Sequence, residues 1–281
     1  MKNLLQKIIR FIIIDLQYFS TNLSLKRKTL DVLRTNSRLF SNLLLKPKSL
    51  QPVIIGDRLV YYDTLFATKT LLTTIYDFYI ETKMATLLPS KPVVIDVGAN
   101  IGQFVVAVKS FYPNAQIYSV EPDRDVYQIL NKNIKQFKKV TSFNYGLSNK
   151  EGRVDFYKSN SFSEWSGLHP LEGHNYEKIS VQIKRGDRLF SSITHIDLLK
   201  IDVEGAELEV LQGMKKTISK CKYILIEASI MRNPSDLGSK NVLTFLFENN
   251  YTIDHIGRIF SDDKGQYQGA VDILLKNRLY E

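Results

Sequence analysis

The 281-residue chain has one cysteine, Cys221, and no long apolar run near its start. A single cysteine excludes an intramolecular disulfide and a cysteine-rich zinc site, and it is consistent with a reducing compartment. The apolar stretch at residues 8–14 is interrupted by Arg10, so that its longest unbroken part spans residues 11–14. This is far below the roughly 20 residues of a membrane-spanning helix and is short for a signal-peptide core. We therefore expect neither in this stretch.

Helix-breaking residues are missing from the first part of the chain. Residues 1–46 contain neither glycine nor proline, and all 14 glycines lie at or after Gly56. Because both residue types interrupt helices, their absence predicts mainly helical structure. The elements predicted before residue 90 are helices over 2–19, 23–45 and 66–88 and a hairpin over 53–62 that turns at Gly56-Asp57.

Acidic residues are scarce in the same region. Residues 1–50 hold ten basic and two acidic residues, a net charge of +8, which leaves +1 for the other 231 residues. Such a basic segment favours anionic partners such as acidic lipid, nucleic acid or an acidic protein, although a solvated helical surface is an equally good interpretation. The apolar face of the predicted helix 2–19 would also suit the surface of a membrane. Residues 1–40 could therefore contact a membrane peripherally, or a partner protein.

From Pro92 onward, apolar strand patterns alternate with helical ones. This alternation predicts an α/β fold with a mostly parallel, seven-stranded sheet covered by helices on both faces. The last two strands are too close in sequence for an intervening helix, so we expect an antiparallel hairpin at the sheet edge. We predict strands over 93–97, 116–120, 139–145, 195–201, 222–228, 251–256 and 269–275, and helices over 102–112, 124–137, 204–219 and 238–249. Residues 1–90 are thus interpreted as a basic extension and residues 91–281 as the main domain.

A long excursion, residues 146–194, separates the third and fourth of these strands. It contains a predicted hairpin, residues 153–158 and 179–184, and an irregular stretch over 159–178. Unstructured loops of this length are uncommon in compact domains unless they have a function. We therefore expect a lid or substrate loop here. His169 and His174 are interpreted as surface residues, and Trp165 as packing the loop down or stacking on a ligand.

The first predicted strand ends in acidic and glycine residues. Asp96 closes the strand, Gly98 permits a sharp turn, and Gly102 begins the next helix, where a side chain would block a ligand. The spacing differs from the G-x-G-x-x-G fingerprint that receives a pyrophosphate, and Asp96 would repel such an anion. It suits a ligand that carries an ammonium group and a sulfonium.

A second acid, in Glu121-Pro122, follows nineteen residues after Gly102. At the end of the second strand, Glu121 is placed to accept both hydroxyls of a ribose. Together the two segments resemble the S-adenosylmethionine-dependent methyltransferases of the seven-stranded, Rossmann-like class. The resemblance implies S-adenosyl-L-methionine as the cofactor, and the residues expected to hold it are Asp96, Gly98, Asn100, Gly102, Glu121 and Pro122.

The fourth strand carries the more specific pattern. Residues 196–207, which include Lys200-Ile201-Asp202-Val203-Glu204-Gly205, closely resemble the signature of FkbM-type methyltransferases. The resemblance covers about residues 92–260 and departs from the family at residues 103–105, where small hydroxyl residues are common. It implies an O-methyltransferase that acts on hydroxyl groups of sugars, glycans or other small molecules.

Methyl transfer to a hydroxyl needs alignment and benefits from a base. Asp202 and Glu204 follow the fourth strand, near the expected methyl position, and Lys200 precedes them with the opposite charge. His255, at the end of the sixth strand, is a further candidate. Other interpretations remain open: Asp202 could cap the following helix, Glu204 could be an acid of its first turn, and Lys200 could be a structural partner. We assign no metal ligand, although the clustered carboxylates could hold a divalent ion, because no third ligand is obvious.

The sequence therefore predicts a cytoplasmic S-adenosylmethionine-dependent O-methyltransferase, with a saccharide, glycan or related small molecule as acceptor. A nicotinamide-dependent oxidoreductase or epimerase on a similar fold is one alternative, and a non-catalytic cofactor-binding scaffold is another. Nucleic acid is not expected as a partner, since no aromatic-rich amino-methylation motif follows the fourth strand. The sequence makes no prediction of the oligomeric state.

Overall fold

The computed structural model describes residues 53–55, 58–61, 84–159, 166–169, 175–229, 238–257 and 270–280. The chain divides into two compact units, Met1–Lys69 and Thr70–Glu281. In the first unit, β1 (Val53–Ile55) and β2 (Arg58–Val60) pair antiparallel, which confirms the predicted hairpin. Its turn at Gly56-Asp57 and the predicted helices over 2–19 and 23–45 lie outside the described residues. Of the predicted helix over 66–88, the described part is α1 (Met84–Leu87).

Strands and helices alternate along the second unit, as the sequence pattern predicts. The strands are β3 (Val93–Val97), β4 (Gln116–Val120), β5 (Val140–Phe143), β6 (Gly146–Leu147), β7 (Gly152–Ser159), β8 (Tyr176–Lys184), β9 (Ile196–Ile201), β10 (Cys221–Ser229), β11 (Tyr251–Ile256) and β12 (Ala270–Asn277). The helices after α1 are α2 (Gln103–Phe111), α3 (Arg124–Ile134), α4 (Gly186–Leu189), α5 (Glu207–Gly213), α6 (Lys215–Ile218) and α7 (Gly238–Glu248), and a 3-10 turn follows at Arg278–Tyr280.

The central sheet has seven strands in the order β11-β12-β10-β9-β3-β4-β5. All neighbouring pairs from β10 to β5 are parallel, whereas β12 is antiparallel to both β10 and β11. The prediction of a mostly parallel seven-stranded sheet with an antiparallel edge hairpin is confirmed. The chain runs outward from β3 in one direction and from β9 in the other. A crevice at the carboxyl ends of these two adjacent strands is the usual ligand site of such sheets.

The two central strands are buried almost throughout because helices cover both faces. One face packs Ile95, Ile201 and Ile226 against residues of α5 and α7. The other face packs Val94 and Leu198 against residues of α1, α2 and α3. These two apolar layers fix the strand ends, and therefore the polar residues that follow them. Among the described residues, no helix has the length and apolar character needed to cross a membrane.

The predicted helix over 204–219 is wrong in its start and in its continuity. It begins at Glu207 and is interrupted at Met214, which separates α5 from α6. Glu204 and Gly205 have φ values of 55° and 102°, which a right-handed helix cannot contain. The helical pattern in the sequence therefore extends three residues beyond the helix itself.

Part of the excursion between β5 and β9 forms a second sheet of order β6-β8-β7. Its antiparallel pair β7–β8 confirms the predicted hairpin, with longer strands than the sequence indicates. The stretch expected to be irregular ends at the start of β8, Tyr176, rather than at Lys178. Residues 166–169 return to β7 through an isolated bridge between Tyr157 and Gly167.

Candidate functional site

One face of the central sheet becomes polar where its strands end. Asp96 on β3 is in register with Lys200 on β9, and one residue further on Ile201 is in register with Ile226. Glu227 follows Ile226 and lies opposite Asp272 on β12. Because side chains alternate between faces along a strand, Asp96, Lys200 and Glu227 lie on the same face. The strand register thus gathers charges that are up to 176 residues apart in sequence.

The Asp96 side chain is fully buried, and neither carboxylate oxygen has a hydrogen-bond donor among the described residues. The nearest charge is the Lys200 ammonium, with Nζ 3.8 Å from Oδ1. Burial raises the pKa of Asp96 to about 6, Lys200 lowers it and Asp202 raises it. A buried carboxylate without a donor is unfavourable unless a cation compensates it. The site therefore fits a ligand with an ammonium group at this position.

The two glycines of the first loop are needed for different reasons. Gly98 has φ 80°, and a side chain there would overlap the carbonyl oxygen of Asp202. It allows the loop after β3 to pack directly on the loop after β9. Gly102 has φ 94°, and an added Cβ would lie 2.9 Å from Leu130 Cδ1 of α3. Packing against Leu130 thus excludes a side chain at Gly102, and the predicted access for a ligand stays a prediction.

The Glu121 carboxylate is held by two backbone donors. Its Oε2 accepts the N–H of Asn100 at 3.0 Å, and its Oε1 accepts the N–H of Asp123 at 2.9 Å. Burial raises the pKa of Glu121 to about 8, although these two donors lower it. Each carboxylate oxygen keeps a further acceptor position, which a ribose hydroxyl can use. The carbonyl of Pro122 accepts a hydrogen bond from Asn144 Nδ2 at 3.0 Å.

The second half of the site is a cluster of three carboxylates. Asp202, Glu204 and Glu227 each bring an oxygen to within 4.8 Å of the other two. The Lys200 ammonium lies 2.9 Å from Asp202 Oδ2. Burial lowers the pKa of Lys200, but Asp202 and Asp96 outweigh this effect and hold it above its ordinary value. Lys200 therefore joins the carboxylate at the cofactor end to the carboxylate cluster.

Glu227 was not among the candidates predicted from the sequence. It supplies the third carboxylate of the cluster. The signal was present as a single acid inside the apolar strand β10. Asp202, burial and Glu204 raise the pKa of Glu227 well above its ordinary value. This favours a protonated Glu227 that shares its proton with Asp202. The same three oxygens could instead surround a divalent cation.

Two further candidates lie on the strands beyond β10: Asp272 on β12 and His255 on β11. Burial and Asp202 raise the pKa of Asp272 to about 6. His255, on β11, is paired with Leu274 of β12, and its Nε2 is buried without a hydrogen-bond partner among the described residues. Three strand spacings separate β11 from β9, which is roughly 14 Å. The structure therefore does not bring His255 to the pair formed by Lys200 and Asp202.

The structure also decides between the alternatives left open for the loop after β9. Asp202 does not cap α5, since the N-cap position is Ala206, and Glu204 lies outside the helix. Glu207 and Glu209 are the acids of the first turn, and Glu207 Oε1 accepts the N–H of Gly205 at 2.9 Å. His169 is exposed, as expected, with Nε2 3.8 Å from Glu209 Oε1. Trp165 and His174 lie outside the described residues.

A Rossmann-like sheet with acids at the ends of β3 and β4 and a second acidic cluster after β9 defines the class of S-adenosylmethionine-dependent methyltransferases. The model of the methyltransferase FkbM domain matches residues 96–253, more than half of the chain. The chain belongs to the FkbM methyltransferase family, whose members use S-adenosylmethionine. The nicotinamide-dependent alternative is not favoured.

Among relatives, the chain is 30% identical over 154 residues to the 2-O-methyltransferase NoeI of Sinorhizobium fredii, covering 49% of this chain and 63% of NoeI. It is 28% identical over 145 residues to the hexuronic acid methyltransferase AglP of Haloferax volcanii, covering 50% of this chain and 58% of AglP. The alignments thus span less than two thirds of either relative. A solved structure, the methyltransferase FkbM of Methylobacillus flagellatus, is similar with 19% identity and a TM-score of 0.46, covering 76% of this chain and 56% of that one.

Proposed function

We propose that residues 91–281 form an O-methyltransferase domain that methylates a hydroxyl group of a saccharide or a related small molecule. The observation that carries this proposal is the Lys200 ammonium, which lies 3.8 Å from Asp96 and 2.9 Å from Asp202. It places a carboxylate suited to a cationic cofactor next to a carboxylate suited to accept a proton. The saccharide acceptor is suggested by the similarity to the hexuronic acid methyltransferase AglP.

The residues at the cofactor end of the site would bind and orient S-adenosylmethionine. S-adenosylmethionine, when bound, supplies an electrophilic methyl carbon on a sulfonium. Asp96 would hold its ammonium group and Glu121 its ribose hydroxyls, while Gly98 keeps the loop against Asp202. Because displacement at the methyl carbon requires in-line approach of the acceptor oxygen, most of the rate enhancement comes from this alignment.

The acceptor end would receive the proton. The Asp202 carboxylate would take the hydroxyl proton of the acceptor when the acceptor oxygen receives the methyl group that S-adenosylmethionine would supply. The products are a methyl ether and S-adenosylhomocysteine. Lys200 pairs with Asp202 at 2.9 Å, and Asp202 is the largest cause of the raised pKa of Glu227. Glu204 brings a carboxylate oxygen to within 4.8 Å of Asp202 and Glu227 and would lie beside the acceptor.

The direct test is transfer of a labelled methyl group from S-adenosylmethionine to a panel of methyl glycosides of hexuronic acids and neutral hexoses. Positioned bases contribute about 10²–10⁴-fold, so Asp202→Asn should lose turnover on that scale. Its affinity for S-adenosylhomocysteine should stay close to that of the wild type. Asp254→Asn is the matched control, because Asp254 is exposed on β11. Equal turnover in wild type and Asp202→Asn would remove Asp202 from the mechanism.

A divalent cation at the carboxylate cluster is tested in the same assay. If the proton-sharing arrangement operates alone, protein treated with EDTA and then freed of it retains its turnover. Loss of turnover that Mg²⁺ or Mn²⁺ restores would assign the cluster to a metal ion, which then orients the acceptor oxygen.

A further inference from the structure

The end of β7 carries a lysine that reaches the cofactor end of the site. Lys158 Nζ lies 3.2 Å from Asp123 Oδ2 and 2.6 Å from Asp125 Oδ2. The two acids differ in burial: the Asp123 side chain is 3% exposed and that of Asp125 is 76% exposed. An exposed ion pair contributes little to stability, whereas removing the partner of a buried charge destabilises the protein strongly. The contact with Asp123 is therefore the important one.

Asp123 is in turn connected to the cofactor residue Glu121. Asp123 Oδ1 accepts the N–H of Asp125 at 2.8 Å and so caps α3. The backbone N–H of Asp123 donates to Glu121 Oε1 at 2.9 Å. Lys158 thus fixes the residue that orients the Glu121 carboxylate.

The neighbouring residues of β7 reach the other half of the site. Tyr157 and Gly167 exchange two backbone hydrogen bonds of 2.9 and 3.1 Å, and the Ser159 N–H donates to Ser166 Oγ at 3.0 Å. Gly167 packs directly on Glu204: an added Cβ would lie 3.0 Å from the Glu204 carbonyl oxygen and 3.3 Å from its Cβ. Residues 157–159 and 166–167 therefore contact both Asp123 and Glu204.

We propose that these residues form a bridge that sets the separation between the cofactor end and the acceptor end, with Lys158 and Gly167 as positioning residues. The bridge joins the loop after β4 to the loop after β9. Methyl transfer depends steeply on that separation, since a misplacement of about 1 Å can cost about 10²-fold in rate. The inference rests on the proposed roles of Glu121 and Glu204.

The first test is the affinity for S-adenosylhomocysteine, measured by calorimetry on the full chain. Lys158→Met should weaken binding about tenfold, because the buried Asp123 carboxylate loses its paired cation and with it the fixed position that orients Glu121, and Lys158→Arg should restore most of it. Lys178→Met is the matched control: Lys178 lies on the same hairpin, 2.7 Å from Asp155, with both side chains 58% exposed. The control should bind as the wild type does.

The second test asks whether the two positioning residues act as one unit. Gly167→Ala should weaken binding about threefold by moving β7 and Lys158, and the double variant should bind no more weakly than Lys158→Met alone. Contacting residues in one network are non-additive, whereas independent sites add. Additive losses, or equal affinities of Lys158→Met and Lys178→Met, would overturn the bridge. If instead Glu121→Ala leaves the affinity unchanged, the proposed cofactor site itself fails, and the two failures are thereby distinguished.

Discussion

At Asp96 the requirements of stability and of the proposed cofactor binding conflict. It is fully buried, and its pKa is raised to about 6, mainly by burial. A shift from 3.8 to about 6 corresponds to about 3 kcal/mol that the folded state loses when this group ionises. A bound cation would offset this loss. The residue is thus unfavourable in the free protein and favourable in the complex, which is common at binding sites.

Replacing Asp96 by asparagine should therefore stabilise the free protein at alkaline pH. Because its folded pKa is raised above the unfolded value, the contribution of the protonated carboxyl to stability is present below pH 3.8 and is lost as the pH rises through about 6. We expect Asp96→Asn to exceed the wild type in unfolding free energy by up to about 3 kcal/mol at pH 8, and the difference to vanish near pH 4. Urea unfolding at pH 4, 6 and 8 without cofactor measures it. A difference that does not change with pH would contradict the burial argument.

The same variant should bind its cofactor less well. Asp96→Asn removes the charge proposed to face the ammonium group, and Glu121→Ala removes the proposed acceptor for the ribose hydroxyls. Each should weaken S-adenosylmethionine binding by about 1–3 kcal/mol, the range for a hydrogen bond to a charged group. Parallel calorimetric titrations with S-adenosylmethionine, S-adenosylhomocysteine and NAD test this, with Asp125→Asn as an exposed control. Unchanged affinity in both variants would reject the cofactor assignment.

A site residue can be predicted from the sequence when a short segment around it marks its position in the fold. Asp96, Glu121 and Asp202 stand where an apolar strand ends, so their position at the sheet edge can be predicted from the chain alone. The proximity of Glu227 to Asp202 depends on the register between β9 and β10, which the sequence does not encode in any short segment. The same holds for the contact of Gly102 with Leu130. The residues proposed to hold the cofactor could therefore be named from strand ends alone, whereas the carboxylate cluster was found only in part.

At the level of elements, buried strands were easier to predict than helix ends. The bounds predicted for β3, β4 and β11 are those of the structure, because turn residues flank short apolar runs. The start of α5 was not predictable from its helical pattern, since Glu204 adopts a positive φ while Gly167 packs on its backbone. That contact comes from a distant segment of the chain. Helix propensity is overridden here by tertiary packing.

Close packing also joins α5 to the second sheet, and this contact can be tested by enlarging one glycine. An added side chain on Gly213, at the end of α5, would overlap the carbonyl oxygen of Ser148. Since the obstacle is backbone, it cannot rotate away, and Gly213→Ala should destabilise the protein by about 1–3 kcal/mol, as is usual for overpacking. Gln212→Ala removes only an exposed hydrogen bond to Asn149 and should change stability by less than about 0.5 kcal/mol. Urea unfolding of both variants makes the comparison, and equal stabilities would contradict the packing argument.

At the level of the whole molecule, the sheet order explains why the site lies where it does. The chain places β4 and β5 on one side of β3 and β9, β10 and β12 on the other. The loops after β3 and β9 therefore begin at adjacent positions, at the carboxyl ends of the strands, where sheets of this kind bind their ligands. Alternating strand and helix patterns predicted this architecture, because each element signals its own type and right-handed crossovers leave few topologies. The cytoplasmic location remains a prediction.

The charge distribution leads to a prediction for the whole chain. Residues 1–50 carry a net charge of +8 and the remaining 231 residues only +1, so attraction to an anionic surface should depend on the first segment. Basic residues near an anionic membrane contribute about 1 kcal/mol each, and salt screens this attraction. The full chain should therefore co-sediment with phosphatidylserine-containing vesicles at low salt, and less so at high salt.

Replacing Lys26, Arg27 and Lys28 together by glutamine should weaken binding by roughly 3 kcal/mol. Replacing Lys215, Lys216 and Lys220 by glutamine removes the same charge from the other part of the chain. If the two triple variants bind equally, the attraction follows net charge alone and the basic segment is not a membrane contact.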